Sequence, residues 1–114
     1  MERPAKSKYM DVTYKIKATP DLRDPDDKSD DPEKLFGHTD HVSQLISIDE
    51  GMTFDREGET LVHEVLHQIL CNSGLFKNDK VEEQHVSVLG HAIYHHLRQN
   101  PSFWRYLLRR KPKE

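Results

Sequence analysis

The run Thr60-Leu61-Val62-His63-Glu64-Val65-Leu66-His67-Gln68-Ile69-Leu70 constrains this chain more than any other stretch, because it sets an H-E-x-x-H motif inside an apolar, helix-compatible segment. Residues four apart on an α-helix stand one above the other on one face, so His63 and His67 can aim both imidazoles at a single point. Two imidazoles so placed suit a divalent zinc ion. Glu64 follows the first of them directly, where a water at the open position of such an ion would have to lose its proton. Leu61, Val62, Val65, Leu66 and Ile69 are expected to pack the rest of the helix against a core while the histidines face a cleft. The alternative is a pair of surface histidines matched by chance in a chain that has 8 of them.

With 114 residues, 34% hydrophobic and 32% charged, the chain supports one domain over residues 1–114 with one modest core. The net charge of −3 gives no general reason to expect nucleic-acid binding. Charge is uneven, however: residues 21–33 are mostly acidic, whereas Arg98, Arg105, Arg109, Arg110, Lys111 and Lys113 make the end basic. The single cysteine, Cys71, excludes an intramolecular disulfide, and with no basic-then-apolar leader a reducing cytoplasm is expected. No apolar run approaches the length needed to cross a bilayer, so no membrane partner is expected.

Taken in order, residues 1–8 read as a loose terminus. Residues 9–17 alternate, with Met10, Val12, Tyr14 and Ile16 on one side of a strand. Residues 20–33, rich in proline and acids, read as a mobile acidic loop; an EF-hand is excluded because its spacing and turn glycine are missing. Leu45, Ile46 and Ile48 suit a second strand at a half-buried edge. A first helix is expected from Thr53 or Asp55 to Cys71 or Asn72, ended by Ser73-Gly74. A second, capped by Asn78 or Asp79, carries Val81, Val86, Leu89, Ile93 and Leu97 at helical spacing and should close on the first. Pro101 opens a short third helix whose Phe103, Trp104, Tyr106 and Leu107 are expected to pack underneath, and residues 110–114 form a frayed basic tail. The expected fold is α+β, with a two- or three-stranded antiparallel sheet packed on these helices.

A catalytic zinc ion takes three protein ligands and keeps one position open, so the third ligand must come from another element. Glu82 and Glu83, in the first turn of the second helix, would be brought back towards His63 and His67 by an antiparallel return. His85 and His91 on the same helix, and the His38/His41 pair, are the rivals.

At this point the chain resembles the gluzincin metallopeptidases, and more closely the minimal phage-type and ImmA/IrrE-like members. In these, H-E-x-x-H is followed by a helix reading roughly E-x-x-[AV]-[ND]-x-[FL]-[AG]; here residues 83–90 read Glu83-Gln84-His85-Val86-Ser87-Val88-Leu89-Gly90. The resemblance covers residues 45–101. It implies a zincin-like domain with Glu83 as the third metal ligand and Glu82 as the runner-up. Ser87 falls where the family usually has a carboxamide or carboxylate that orients a ligating histidine, a departure from the pattern. The strand before the active helix corresponds to the edge along which an extended substrate is laid. Short proteins of this look resemble phage or prophage products, which implies action in a host bacterial cytoplasm.

The expected activity is that of a zinc metallopeptidase acting on a peptide or protein substrate, with Glu64 as general base and one catalytic zinc ion as cofactor. Tyr94, His91, His95 and His38 are chemically able to donate a hydrogen bond to the developing oxyanion. A zinc-stabilised interaction module that does not cut its partner is the alternative, opposed by a carboxylate next to an open position. Nucleic-acid binding through the basic tail, with Trp104 and Tyr106 as stacking groups, is a third reading, opposed by the overall acidity.

Overall fold

The computed structural model describes residues 2–75, 77 and 79–113; Asn78, one of the two caps considered for the second helix, and Glu114, at the end of the basic tail, lie outside them. Four strands precede three helices: β1 (Lys6–Tyr9), β2 (Val12–Thr19), β3 (Gly37–Asp40), β4 (Leu45–Asp49), α1 (Phe54–Asn72), α2 (Lys80–Gln99) and α3 (Pro101–Arg109). The fold is α+β, as expected, but the sheet is four-stranded and mixed. Its order is β1-β2-β4-β3, with β2 and β4 parallel and the outer pairs antiparallel.

Two local features explain the difference from the expected antiparallel sheet. First, the chain reverses between Tyr9 and Val12, which are paired, and Met10 takes φ 53°. That left-handed conformation is uncommon without glycine or asparagine, so the alternating run 9–17 hides a hairpin and the terminus before it hides β1. Second, β3 forms a hairpin with β4 through a turn in which Asp40 Oδ1 accepts from the backbone N–H groups of Val42 and Ser43 at 3.0 and 3.2 Å. The hairpin places β4 between β3 and β2. Leu45 to Asp49 is therefore an inner strand, and β3 is the edge.

The core is small. Tyr14, Ile46 and Ile48 are buried, with Val12, Ile16, Ala18, Met52, Leu61 and Val65 packed round them; burying one such isoleucine stabilises the fold by about 1.5–3 kcal/mol. The row of α1 that is fully buried is polar: Thr60, Glu64 and Gln68. Gln68 accepts from Ser7 Oγ at 2.7 Å and donates to the Ser7 carbonyl at 3.1 Å, which ties α1 to β1. Thus Leu61 and Val65 reach the core as expected, while Val62, Leu66 and Ile69 line an apolar cavity of about 380 Å³ with Ile16 and Ile93.

The loop of residues 20–36, of which 20–33 are expected to be mobile, is tied back at both ends. Leu22 is buried, Asp24 and Glu33 are joined by a backbone hydrogen bond of 2.9 Å, and Leu35 N–H donates to the Leu22 carbonyl at 3.0 Å. Asp49 is the anchor: it accepts from Lys34 Nζ at 2.7 Å and Leu22 N–H at 2.9 Å. These partners, Lys34 first, hold its carboxyl below the ordinary carboxylate range. A depressed folded-state pKa adds stability above the unfolded carboxylate pKa and loses it as pH falls through the folded one. Asp49→Asn is therefore expected to lower the melting temperature at neutral pH, with the gap from wild type closing as pH falls from about 7 towards about 2. Melting curves across that range check it; a gap of constant size would remove the charge from the explanation.

The helices start and stop where the sequence places them. Thr53 caps α1 by accepting from Arg56 N–H, and Asp79 caps α2 by accepting from Glu82 N–H at 2.8 Å. Only Val86 of the α2 stripe is fully buried, whereas Val81, Leu89 and Leu97 are exposed. The expectation that α3 packs underneath is not met: none of its residues is buried, and its Trp104 indole donates to His96 Nδ1 of α2 at 3.1 Å. Asn100 and Pro101 allow no helical continuation, and α3 departs from α2 at the end of the elongated molecule, 58 × 32 × 25 Å. Among the described residues, no helix is long and apolar enough to cross a membrane.

Candidate metal centre

Antiparallel packing of α1 and α2 brings the motif and the downstream glutamates together. Gly90 eases this approach: a Cβ there would stand 3.3 Å from His63 Cα, a tight contact that glycine avoids. His63 Nε2 lies 2.8 Å from one oxygen of Glu83, and His67 Nε2 lies 2.9 Å from the other. The two Nε2 atoms are 3.2 Å apart. Tetrahedral zinc with bonds of about 2.0–2.1 Å to nitrogen requires ligand nitrogens about 3.3 Å apart. The three side chains, whose ligand atoms all lie within 4.8 Å of one another, fit such an ion.

Glu82, the runner-up ligand, is on the other side of the ring. It is buried, and its Oε2 lies 3.5 Å from His67 Nδ1 while Oε1 accepts from Lys77 N–H at 3.1 Å. A carboxylate on the far nitrogen is the arrangement that fixes the tautomer of a metal-binding histidine and raises its basicity. Glu82 thus sets a carboxylate beside His67 Nδ1, and Ser87 lines the cleft.

Glu64 is buried under the edge strand. Its Oε1 accepts from Thr39 Oγ1 at 2.8 Å, and its Oε2 lies 4.0 Å from His63 Nε2. Gly37 makes room, since a Cβ there would be 2.8 Å from Glu64 Oε2. Burial pushes the Glu64 carboxyl above its ordinary pKa, opposed by His63 and the Thr39 hydroxyl. Burial acts to lower the His67 imidazole, but its hydrogen bond to Glu83 and the charges of Glu64, Glu83 and Glu82 outweigh that, and the net shift is upward. Hydrogen bonds from His63 and His67 hold the Glu83 carboxyl far below the usual carboxylate range.

The site opens into a cleft of about 1120 Å³ between β3, the 20–36 loop and the two helices. His38, His41, His91 and Ser87 line it with the motif residues. His38 faces Asp26 at 3.8 Å and His41 faces the Tyr14 hydroxyl at 3.0 Å. Tyr94 lies elsewhere: its hydroxyl donates to Asp55 at 2.9 Å, near the start of α1. His95 contacts Glu59 at 2.7 Å. Thr39 escaped the sequence reading because nothing in a lone threonine marks it until β3 is laid against α1. Comparison of the chain with family models, with curated proteins and with solved structures finds no match.

Proposed function

We propose that the protein is a zinc metallopeptidase of the gluzincin type with a zincin-like fold, in which His63, His67 and Glu83 bind the ion and Glu64 is the general base. The observation that carries this reading is the buried, Thr39-bonded Glu64 carboxylate beside a convergent His-His-Glu set. Zinc bound there would supply a Lewis acid for the scissile carbonyl and lower the pKa of water at its open position. Glu64 takes the proton of the attacking water and delivers it to the leaving amine. Thr39 holds the Glu64 carboxylate in place, and Glu82 holds the His67 ring. His91 and His38, on the cleft wall, are the candidates for hydrogen bonding to the developing oxyanion; Tyr94, engaged with Asp55, is the weaker one.

A peptide substrate in extended form has a place to lie. β3 is the outer strand beside the cleft, so the edge available for strand addition is β3 and not the strand that directly precedes α1. We place the activity in a reducing, host bacterial cytoplasm, in keeping with the lone Cys71. A binding module braced by the same ion would use His63, His67 and Glu83 but has no need of a buried Glu64 carboxylate held by Thr39.

The test is metal removal. Protein purified without chelator is expected to contain zinc and to cleave members of a mixed peptide library; chelation is expected to abolish cleavage and lower the melting temperature. An ion present at a hundredfold over its dissociation constant stabilises by about 2.7 kcal/mol, a shift on the order of 10 °C for a domain of this size. Cleavage that survives verified zinc loss would reject the proposal.

A further inference from the structure

The helix pair carries a second convergent set of the same composition, turned end for end. In the centre described above, α1 gives two histidines four residues apart and α2 gives a glutamate. Further along, α2 gives His91 and His95, again four apart, and α1 gives Glu59. His91 Nδ1 lies 3.2 Å and His95 Nε2 2.7 Å from the same oxygen, Glu59 Oε1, and the three ligand atoms lie within 4.8 Å of one another. The imidazole rings are 4.4 Å apart between centroids.

We infer that Glu59, His91 and His95 form a second binding site for a borderline divalent metal ion of the zinc class, separate from the H-E-x-x-H centre. Two imidazoles and a carboxylate are a donor set for zinc, cobalt or nickel and not for calcium or magnesium, which take oxygen. Helical spacing makes His91 and His95 neighbours on one face, and Glu59 crosses to them where Tyr94 packs over Gly58. The side chains are open enough for water to complete the coordination: His91 is 65% exposed and His95 36%.

The two centres hold separate ions. Glu59 stands four residues, about 6 Å, before His63, and His91 eight residues, about 12 Å, beyond Glu83. That is too far for one bridged pair, whose ions sit about 3.5–4 Å apart. The second ion cross-links the first half of α1 to the second half of α2, the part of the pair where few apolar side chains are buried. It also places positive charge on the wall of the catalytic cleft, since Glu59 and His91 both line it.

The inference does not depend on the peptidase reading, and its test isolates it. Chelator-stripped protein is titrated with Zn²⁺ and, for its visible spectrum, with Co²⁺, and bound metal is counted by native mass spectrometry. Wild type is expected to take two equivalents. The His63→Ala/His67→Ala variant should keep one equivalent, and His91→Ala/His95→Ala should also keep one, by losing the other. Glu59→Gln, which preserves side-chain shape, should lose the same equivalent as the second variant, with circular dichroism unchanged in all three. One equivalent in wild type and none in His63→Ala/His67→Ala would overturn the inference. So would a second equivalent that persists in His91→Ala/His95→Ala or is lost instead in His38→Ala, where Asp24, Asp26 and His38 form another acidic cluster.

Discussion

Glu64→Gln is expected to fold, keep its zinc and still bind peptide, while losing peptide cleavage by at least about a hundredfold, the effect of removing a general base. The amide has the size of the carboxylate, so the close fit against Gly37 is preserved. Its oxygen can still accept from Thr39 Oγ1. What disappears is the ability to take a proton. The carboxylate contributes no ligand atom to the His63, His67 and Glu83 set, which is why metal content should not change. Wild type and variant are compared by zinc content, by circular dichroism and by cleavage of a peptide library or of proteins in a host lysate. A biological effect of the protein that survives in the variant would favour the zinc-braced binding module over the enzyme, and cleavage at the wild-type rate would remove Glu64 as the general base.

The helices were legible because their signals are local. Thr53 and Asp79 cap, Ser73-Gly74 and Asn100-Pro101 stop, and the four-residue spacing of His63 and His67 needs nothing but helix geometry. The sheet was less so, because its order is decided by long-range pairing. The hairpin at Met10 uses a residue with no turn preference, and β3 is a polar strand, Gly37-His38-Thr39-Asp40, without the alternation that marks β-structure. The same limit applies to the site. The relation of Glu64 to Thr39 exists only once β3 lies against α1, and the choice between Glu82 and Glu83 depends on which face α2 turns to its partner. Glu59, by contrast, sits in the same row as His63 and His67, and His91 and His95 repeat their spacing. That second set was readable as a pattern, but only the crossing of the helices joins its two halves.

The third ligand divides the possible readings of the site most sharply, and here neighbouring glutamates should differ in degree. Glu83 offers both its oxygens to the two Nε2 atoms, at 2.8 and 2.9 Å, and its side chain is half exposed, so Glu83→Ala removes a ligand with little disturbance to packing. Glu82 is buried against His67 Nδ1 and Lys77 N–H, so Glu82→Gln is the milder probe of its role: it retains an acceptor for the backbone while weakening the hold on the ring. Glu82→Gln is expected to weaken zinc binding by roughly ten- to hundredfold, the usual effect of removing an orienting partner. Glu83→Ala should weaken it by more than that and abolish cleavage, since two histidines leave the ion one protein ligand short of a catalytic set. Competition of each variant with a chromogenic chelator measures the order directly. A protein that keeps its zinc in Glu83→Ala and releases it in Glu82→Gln would move the third ligand to Glu82. The His67 ring would then have to bind through Nδ1, turned away from the face it shares with His63.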